Sequence, residues 1–339
     1  MTQPPRPTLQ DVARHAQVST ATVSRVVNAP DRVQPATRDR VESAIRELGY
    51  TPNFGARILA AKRTDTMGAI VPTLENAIFA RGLEAFQTEL SESAITMLVA
   101  SSSYRPEVEE RQVRTLVARG ADALLLIGYD RDPAVYDILR RSGTPYVVAW
   151  AYDPDQAHPA IGFDNRRAMA GLARRVLDLG HRRLGLITAR RDGNDRARNR
   201  WLGILDAMAE HGLPETALSV HETTYAVEAG AEGLSALLRR PDRPTAVLCG
   251  NDVLAAGALS AAAEMGLRVP DDISITGFDD IEIATIVSPP LTTVHVPHRR
   301  MGQEAAKMLI AMRADPERIA RVAIEAEIVM RETLGPPPA

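Results

Sequence analysis

A single cysteine, Cys249, in 339 residues excludes an intrachain disulfide framework and a multi-cysteine zinc site. Long apolar runs are also missing. No stretch approaches the ~18 apolar residues of a membrane span, and the opening "MTQPPRPTLQ" has no apolar core of a secretory signal. A cytoplasmic, nucleoid-associated protein without a membrane partner is the expectation. Aromatic residues make up only 4% of the chain while alanine and leucine abound, which favours helix-rich α/β packing over an all-β sandwich. GxGxxG, P-loop and GxSxG patterns are absent, so neither a nucleotide cofactor nor a hydrolase elbow is indicated, and no cofactor is expected. The length exceeds one ordinary core and implies two or three domains.

The formal charge of −3 conceals an asymmetry. Residues 1–63 hold ten Lys/Arg against five Asp/Glu, and the remainder is net acidic. A small basic head on an acidic body suits a polyanion, because basic side chains release counterions from phosphates. A merely solvated basic surface is the plainer alternative.

Within the head, "TLQDVARHAQ" places Leu9, Val12, Ala13 and Ala16 on one helical face, with Thr8 and Asp11 spaced as a capping box. Ser19 begins a second helix with Val23, Val26 and Val27 inward. A third runs from about Pro35 to Leu48, with Gly49 as its stop. The short turn between the first two is that of a helix-turn-helix. The second helix carries no acid and turns Thr20, Ala21, Ser24, Arg25 and Asn28 outward. Small polar residues let a helix enter a groove, and Arg25 can donate two hydrogen bonds to a guanine edge. A small helical bundle with a bland surface is the alternative reading.

"TLQDVARHAQVSTATVSRVVN…TRDRVESAIRELGYTPNFGARILA" resembles the DNA-binding head of the LacI/GalR family of bacterial transcription regulators. The resemblance implies that Thr20, Ala21 and Arg25 read bases, while Thr22, Ser24, Asn28 and Arg32 contact or position phosphates. Gln17 stands where the family usually has a turn glycine, at a cost of ~1 kcal/mol if left-handed. Gln34 replaces the usual Ser or Thr cap of the third helix.

Residues 53–60 could form about two helical turns, too few to persist alone in water. A flexible tether is one reading; a segment that folds on a partner is the other. The resemblance favours the second: "PNFGARIL" is similar to the family's hinge helix, paired with its copy in the DNA minor groove. Leu59 then wedges between base pairs, Ala56 lies beside it, and Asn53 and Arg57 touch backbone or groove edge.

From residue 66 apolar runs alternate with helical stretches. Strand candidates are "MGAIVP" (67–72), "AITMLVA" (94–100), "ADALLLIG" (121–128), "PYVVAW" (145–150), "AIGF" (160–163), "RLGLIT" (183–188), "TAVLCG" (245–250) and "ISITGF" (273–278). Two doubly wound, parallel-sheet lobes follow from this pattern. Ligands in such sheets bind beyond the carboxyl ends of the strands, where Asp130, Asp164, Asn251 and Asp279 fall and where Arg196, Arg198 and Arg200 open a helix. Helix capping is the plain alternative for each Asp or Asn.

The body also resembles the family, through "IGFDN", "LGHRRLGLI", "PTAVLCGNDVLAAGAL" and "VPDDISITGFDD", and periplasmic sugar-binding proteins. It implies Arg200, Asn251 and Asp279 as leading effector contacts, with Asp164, Phe79, Ile78 and Tyr225 beside them. The expected division is a helix-turn-helix domain at 1–51, a hinge at 52–65 and an effector-binding and dimerisation domain at 66–330, whose chain the resemblance implies crosses between lobes three times. Its N-lobe would be about 66–160 plus 292–320, and its C-lobe about 162–290 plus 322–330. Residues 331–339 are expected to be a disordered tail. "YRPEVEERQVRTLVARGADALLL" and "IFARGLEAF" resemble the gluconate-type branch, which with the extra arginines makes a sugar acid the first effector expectation.

The expected protein is a homodimeric repressor on palindromic double-stranded operator DNA, released by a small sugar or sugar acid. A corepressed or activating regulator is the alternative. A sugar-modifying enzyme using Asp164 and Asp279 as acid and base is a more distant one. Pro297 interrupts the spacing of His295 and His298, and no metal site is expected.

Overall fold

The computed structural model describes residues 7–51, 63–75, 77–315 and 318–338. The chain divides into two compact units at Thr64.

The first unit holds α1 (Leu9–His15), α2 (Thr20–Asn28) and α3 (Pro35–Leu48). The Thr8–Asp11 capping box is present, with Asp11 Oδ2 accepting from the Thr8 amide at 2.9 Å. Ser19 caps α2 by accepting from the Thr22 amide at 3.1 Å. Gln17 does adopt a left-handed φ of 54°, and Gln34 makes no side-chain cap. Val12, Val23, Val26, Val41 and Ala44 are buried together, so the three amphipathic faces share one core.

The second unit begins with β1 (Thr66–Val71), α4 (Ala77–Glu92), β2 (Thr96–Ser101), α5 (Pro106–Ala118), β3 (Ala123–Ile127), α6 (Pro133–Ser142), β4 (Tyr146–Ala149) and β5 (Ala160–Gly162). Then come α7 (Asn165–Asp178), β6 (Leu184–Ala189), α8 (Asp195–Glu210), β7 (Leu218–Thr223), α9 (Val227–Leu238) and β8 (Ala246–Cys249). After these follow α10 (Asp252–Glu264), β9 (Ser274–Thr276) and the short α11 (Ile283–Ile286). Last are β10 (Thr293–His295), α12 (His298–Ala314), β11 (Arg321–Ala323) and β12 (Glu327–Val329).

Two parallel sheets result, in the orders β11-β5-β4-β3-β1-β2 and β7-β6-β8-β9; β10 and β12 form an antiparallel pair. β1, β3, β6 and β8 are buried along their whole length, which is why they read as unbroken apolar runs. β7, "LSVHET", escapes sequence reading because it is an edge strand with a mixed inner and outer face. Strand order reverses beside β1 in one sheet and beside β6 in the other, so each lobe has a crevice at its carboxyl edge. Helix pairs pack closely on these sheets. At Gly257 a Cβ would overlap the Val227 carbonyl, so only glycine lets α10 and α9 approach this far.

The expected tail is not loose. Thr333, Leu334 and Gly335 are buried. The Thr333 carbonyl accepts from the Ile275 amide at 2.9 Å, and its hydroxyl accepts from the Thr292 amide at 2.9 Å. His181 bonds the Gly335 carbonyl at 2.8 Å. Three prolines supply no helix, but extended backbone can satisfy unpaired groups at the β9 edge, and it does so here.

Candidate functional site

On the head, Thr20, Ala21, Arg25 and Arg32 are exposed, and Thr22 and Ser24 are half-buried. The Thr22 hydroxyl sits 2.9 Å from that of Ser19, so it is shared with the cap of α2. The side chain of Asn28 lies outside the described residues, as do Asn53, Ala56, Arg57 and Leu59. With Val23 and Val26 inward, α2 offers one face made of small residues and an arginine, and no acid to repel phosphate.

In the body, the carboxyl edges of the two sheets face one another across a narrow cleft. It is lined by Ile78, Phe79, Arg200, Tyr225, Asn251 and Asp279, six of the seven effector residues read from sequence. Asp164 is not among them. It is the N-cap of α7 and accepts from the Arg167 amide at 2.9 Å, so its carboxylate is committed to the helix end. Its neighbour Asn165 takes the place in the wall. Since Asp164 is outside the cavity, it and Asp279 do not form an acid–base pair there. Asn251 both caps and lines: Oδ1 accepts from the Leu254 amide at 3.0 Å, leaving its NH2 for the cavity.

Sequence reading missed Tyr104, Trp150, Phe163 and Asn165, and named Arg196 without assigning it to a ligand. The chain has fourteen Phe, Trp and Tyr residues in all, and five of them line this one cavity. Phe79 meets Trp150 edge-on at 5.6 Å. Three of the lining residues, Tyr104, Trp150 and Asp279, have left-handed φ values of 56°, 62° and 104°. Such backbone costs roughly 1 kcal/mol or more per residue and persists where a side chain must be aimed.

Arg200 organises the polar side. It donates to Asn165 Oδ1 at 2.8 Å and to the Tyr225 hydroxyl at 2.9 Å, and its guanidinium lies 4.9 Å from the Phe278 ring centre. Its Nε is buried without a partner. Burial drives the Asp279 carboxyl well above the usual carboxylate range, against the pull of Arg200. Behind it, Trp150 Nε1 donates to His298 Nδ1 at 3.0 Å, so the imidazole proton is on Nε2, 3.8 Å from Asp279. Burial keeps His298 neutral, its pKa lowered to about 3.

Contacts between lobes close the cleft. Asp195 Oδ2 accepts from the Tyr129 amide at 2.7 Å, Arg198 bonds Asp130 at 2.6 Å, and Arg81 pairs with Glu282. Gly128 has a φ of 70°, and a Cβ there would overlap Arg196 and Asp195.

Asp252, at the start of α10, holds the loop that carries Asp279. It accepts from Thr293 Oγ1 at 2.5 Å and from the Ile281 amide at 2.8 Å. Burial nevertheless pushes its pKa up to about 7. Below about pH 4 this carboxyl is protonated folded or unfolded, and the contribution to stability is complete. Between about 4 and 7 only the unfolded chain releases the proton, so that contribution is lost as pH rises. Asp252→Asn removes it. The stability of the parent relative to this variant should therefore fall by about 2–3 kcal/mol between pH 5 and pH 8. Urea unfolding at both pH values checks this; a constant difference would contradict it.

Among the described residues, no group of three or more His, Cys, Asp or Glu is placed to hold a metal ion, and no helix is long and apolar enough to cross a membrane.

Residues 8–53 match the family described as "Bacterial regulatory proteins, lacI family", and residues 173–334 the "Periplasmic binding protein-like domain". The chain is 34% identical over 334 residues to the ribose operon repressor of Haemophilus influenzae, spanning 96% of this chain and 98% of that one. It is 32% identical over 305 residues to the transcriptional repressor CytR of Escherichia coli K12, spanning 89% of each. The fold is similar to a lac repressor dimer bound to operator and the anti-inducer ONPF, with a TM-score of 0.84 and 27% identity over 97% of this chain and 99% of that one. A helix-turn-helix head, two parallel-sheet lobes around a polar and aromatic cleft, and these matches agree: the chain belongs to the LacI family of bacterial regulatory proteins.

Proposed function

We propose that this protein is a dimeric transcriptional repressor that holds a palindromic operator until a small sugar binds the cleft of its body. The observation that carries the effector assignment is the cavity itself. Five aromatic rings offer faces for a sugar ring, and Arg200, Asn251, Asn165 and Asp279 supply mixed donors and acceptors for hydroxyls.

We read the effector as a neutral sugar rather than the acid first expected, and the pairing of the arginines supports this. Of the three arginines that suggested an acid, Arg198 is bonded to Asp130 and Arg196 to Asp195 at 2.9 Å. Arg200 faces Asp279. Each guanidinium at the cavity thus has a carboxyl group of the protein beside it, which suits hydroxyls better than a carboxylate.

On the DNA side, α2 enters the major groove with Thr20, Ala21 and Arg25 at base edges, while Thr22, Ser24, Asn28 and Arg32 hold phosphates. Residues 53–60 of two subunits form paired hinge helices in the minor groove, with Leu59 as the wedge. Effector binding shifts the lobes, the hinge pair loses register, and operator affinity falls. Arg25→Ala should relax sequence preference, costing about 1–3 kcal/mol on the preferred palindrome and little on random DNA. Selection of a preferred duplex from a random library, followed by anisotropy titrations of both proteins, tests the reading. A parent protein that enriches no sequence would refute it.

A further inference from the structure

The helix α12 runs from the cleft to the far edge of its sheet. Its first residue, His298, accepts from Trp150 Nε1 at 3.0 Å and holds its own Nε2 3.8 Å from Asp279 Oδ1. Trp150 and Asp279 both line the cleft. In its last turn Arg313 Nη1 donates to Asp65 Oδ1 at 3.1 Å and to Asp122 Oδ2 at 3.3 Å. Asp65 precedes β1 and Asp122 precedes β3, so this clamp lies at the amino ends of the strands, opposite the cleft. Asp65 is also the last residue of the 52–65 segment read as the hinge. The 17 residues of α12 span about 25 Å between these two places.

The cleft end is set between two arrangements. His298 Nε2 is buried without a hydrogen-bond partner among the described residues, and Asp279 lies just out of its reach. A shift of roughly 1 Å would make that bond. It would also relieve the desolvation cost of a buried donor left unpaired. An occupant of the cleft that touches Asp279 or Trp150 therefore acts on His298.

Between its ends α12 is packed to move as one piece. Met301, Gly302, Ala305, Ala306 and Leu309 form its buried face. At Gly302 a Cβ would overlap the Gly82 carbonyl of α4, and at Gly82 one would overlap the Trp150 ring. Interfaces this close repack between discrete arrangements rather than deform smoothly.

The far end holds charge that depends on the helix. The Asp65 amide donates to Asp122 Oδ2 at 3.1 Å, which brings the two carboxylates together, and the Arg313 guanidinium serves both. Asp65 is left-handed, with a φ of 47°, and its carbonyl accepts from the Thr96 amide at 2.8 Å. Withdrawing Arg313 sets like charges against each other at a strained residue, where the linker enters β1.

We propose that α12 carries the state of the cleft to the hinge, with His298 and Arg313 as the positioning residues at its two ends. This rests on the reading of the protein as an effector-controlled repressor. The test is a double-mutant cycle in the full-length protein, read as affinity for the duplex that the parent enriches from a random library. Arg313→Gln should lower that affinity about tenfold and His298→Gln about fivefold. The double variant should also lose about tenfold, whereas independent effects would multiply to about fiftyfold. Substitutions this far apart otherwise multiply to within about twofold, so a merely structural role for either residue does not give the shared loss. Arg313→Lys keeps the charge and should recover affinity to within about threefold of the parent. Arg299→Gln, on the same helix in an exposed pair with Glu84 at 2.8 Å, should stay within about twofold. Circular dichroism reports the fold of each variant, and Asp65→Asn replaces Arg313→Gln in the cycle if the latter does not fold. Multiplying losses, or an affinity unmoved by either single variant, would overturn the inference alone. A parent that enriches no duplex would refute the repressor reading and the inference with it.

Discussion

Replacing Arg200 by alanine is expected to lower effector affinity by about two orders of magnitude or more and to leave operator binding without effector near the parent value. Two hydrogen bonds from a buried guanidinium, to Asn165 and Tyr225, disappear together, and so does its contact with the Phe278 ring. Hydrogen bonds to charged groups contribute about 1.5–3 kcal/mol each, and a ligand loses both its direct bond and the positioning of its neighbours. Asp279 also loses the positive group that opposes its burial, and its carboxyl should move higher still. Isothermal titration with the ligand that most stabilises the parent measures the first effect, and anisotropy on operator the second. An effector response of parental size would show that the pocket lies elsewhere.

The second large effect concerns closure rather than contact. Gly128→Ala should weaken effector binding about thirtyfold or more, because the new methyl would occupy the space of Arg196 and Asp195 where the lobes meet. The bond from the Tyr129 amide to Asp195 and the ion pair of Asp130 with Arg198 must then open. Left-handed strain alone does not explain such a loss, and a control separates the two. Gly143 has a φ of 65° with open space around it. Gly143→Ala should cost about 1 kcal/mol of stability and leave effector affinity alone. If both variants lose stability equally and neither loses affinity, the cross-lobe contacts do not govern binding.

Much of the fold and of the cleft is legible in the amino-acid sequence. Buried parallel strands announce themselves as apolar runs, and ligand sites lie beyond their ends, so Asn251 and Asp279 fall at once on the cavity. The limits have physical causes. Asp164 and Asn165 both suit a helix start, and which one caps and which one faces the ligand depends on a single residue of register. Trp150 ends the run "PYVVAW" and reads as one more strand residue, because nothing local encodes the left-handed turn that swings its ring into the cleft. Tyr104 is hidden in the same way, in a serine-rich loop. The C-terminal prolines suggest disorder only until the unpaired edge they cover is known. Long-range partners, not local preference, made each of these decisions.

If duplex and solute compete through one conformational equilibrium, each must weaken the other by the same factor. The decisive measurement is a paired one on the full-length protein: operator affinity with and without saturating ligand, and ligand affinity with and without saturating operator. The account predicts equal losses of about tenfold to a hundredfold in both directions. Operator affinity unchanged by a ligand that fills the cleft would contradict it.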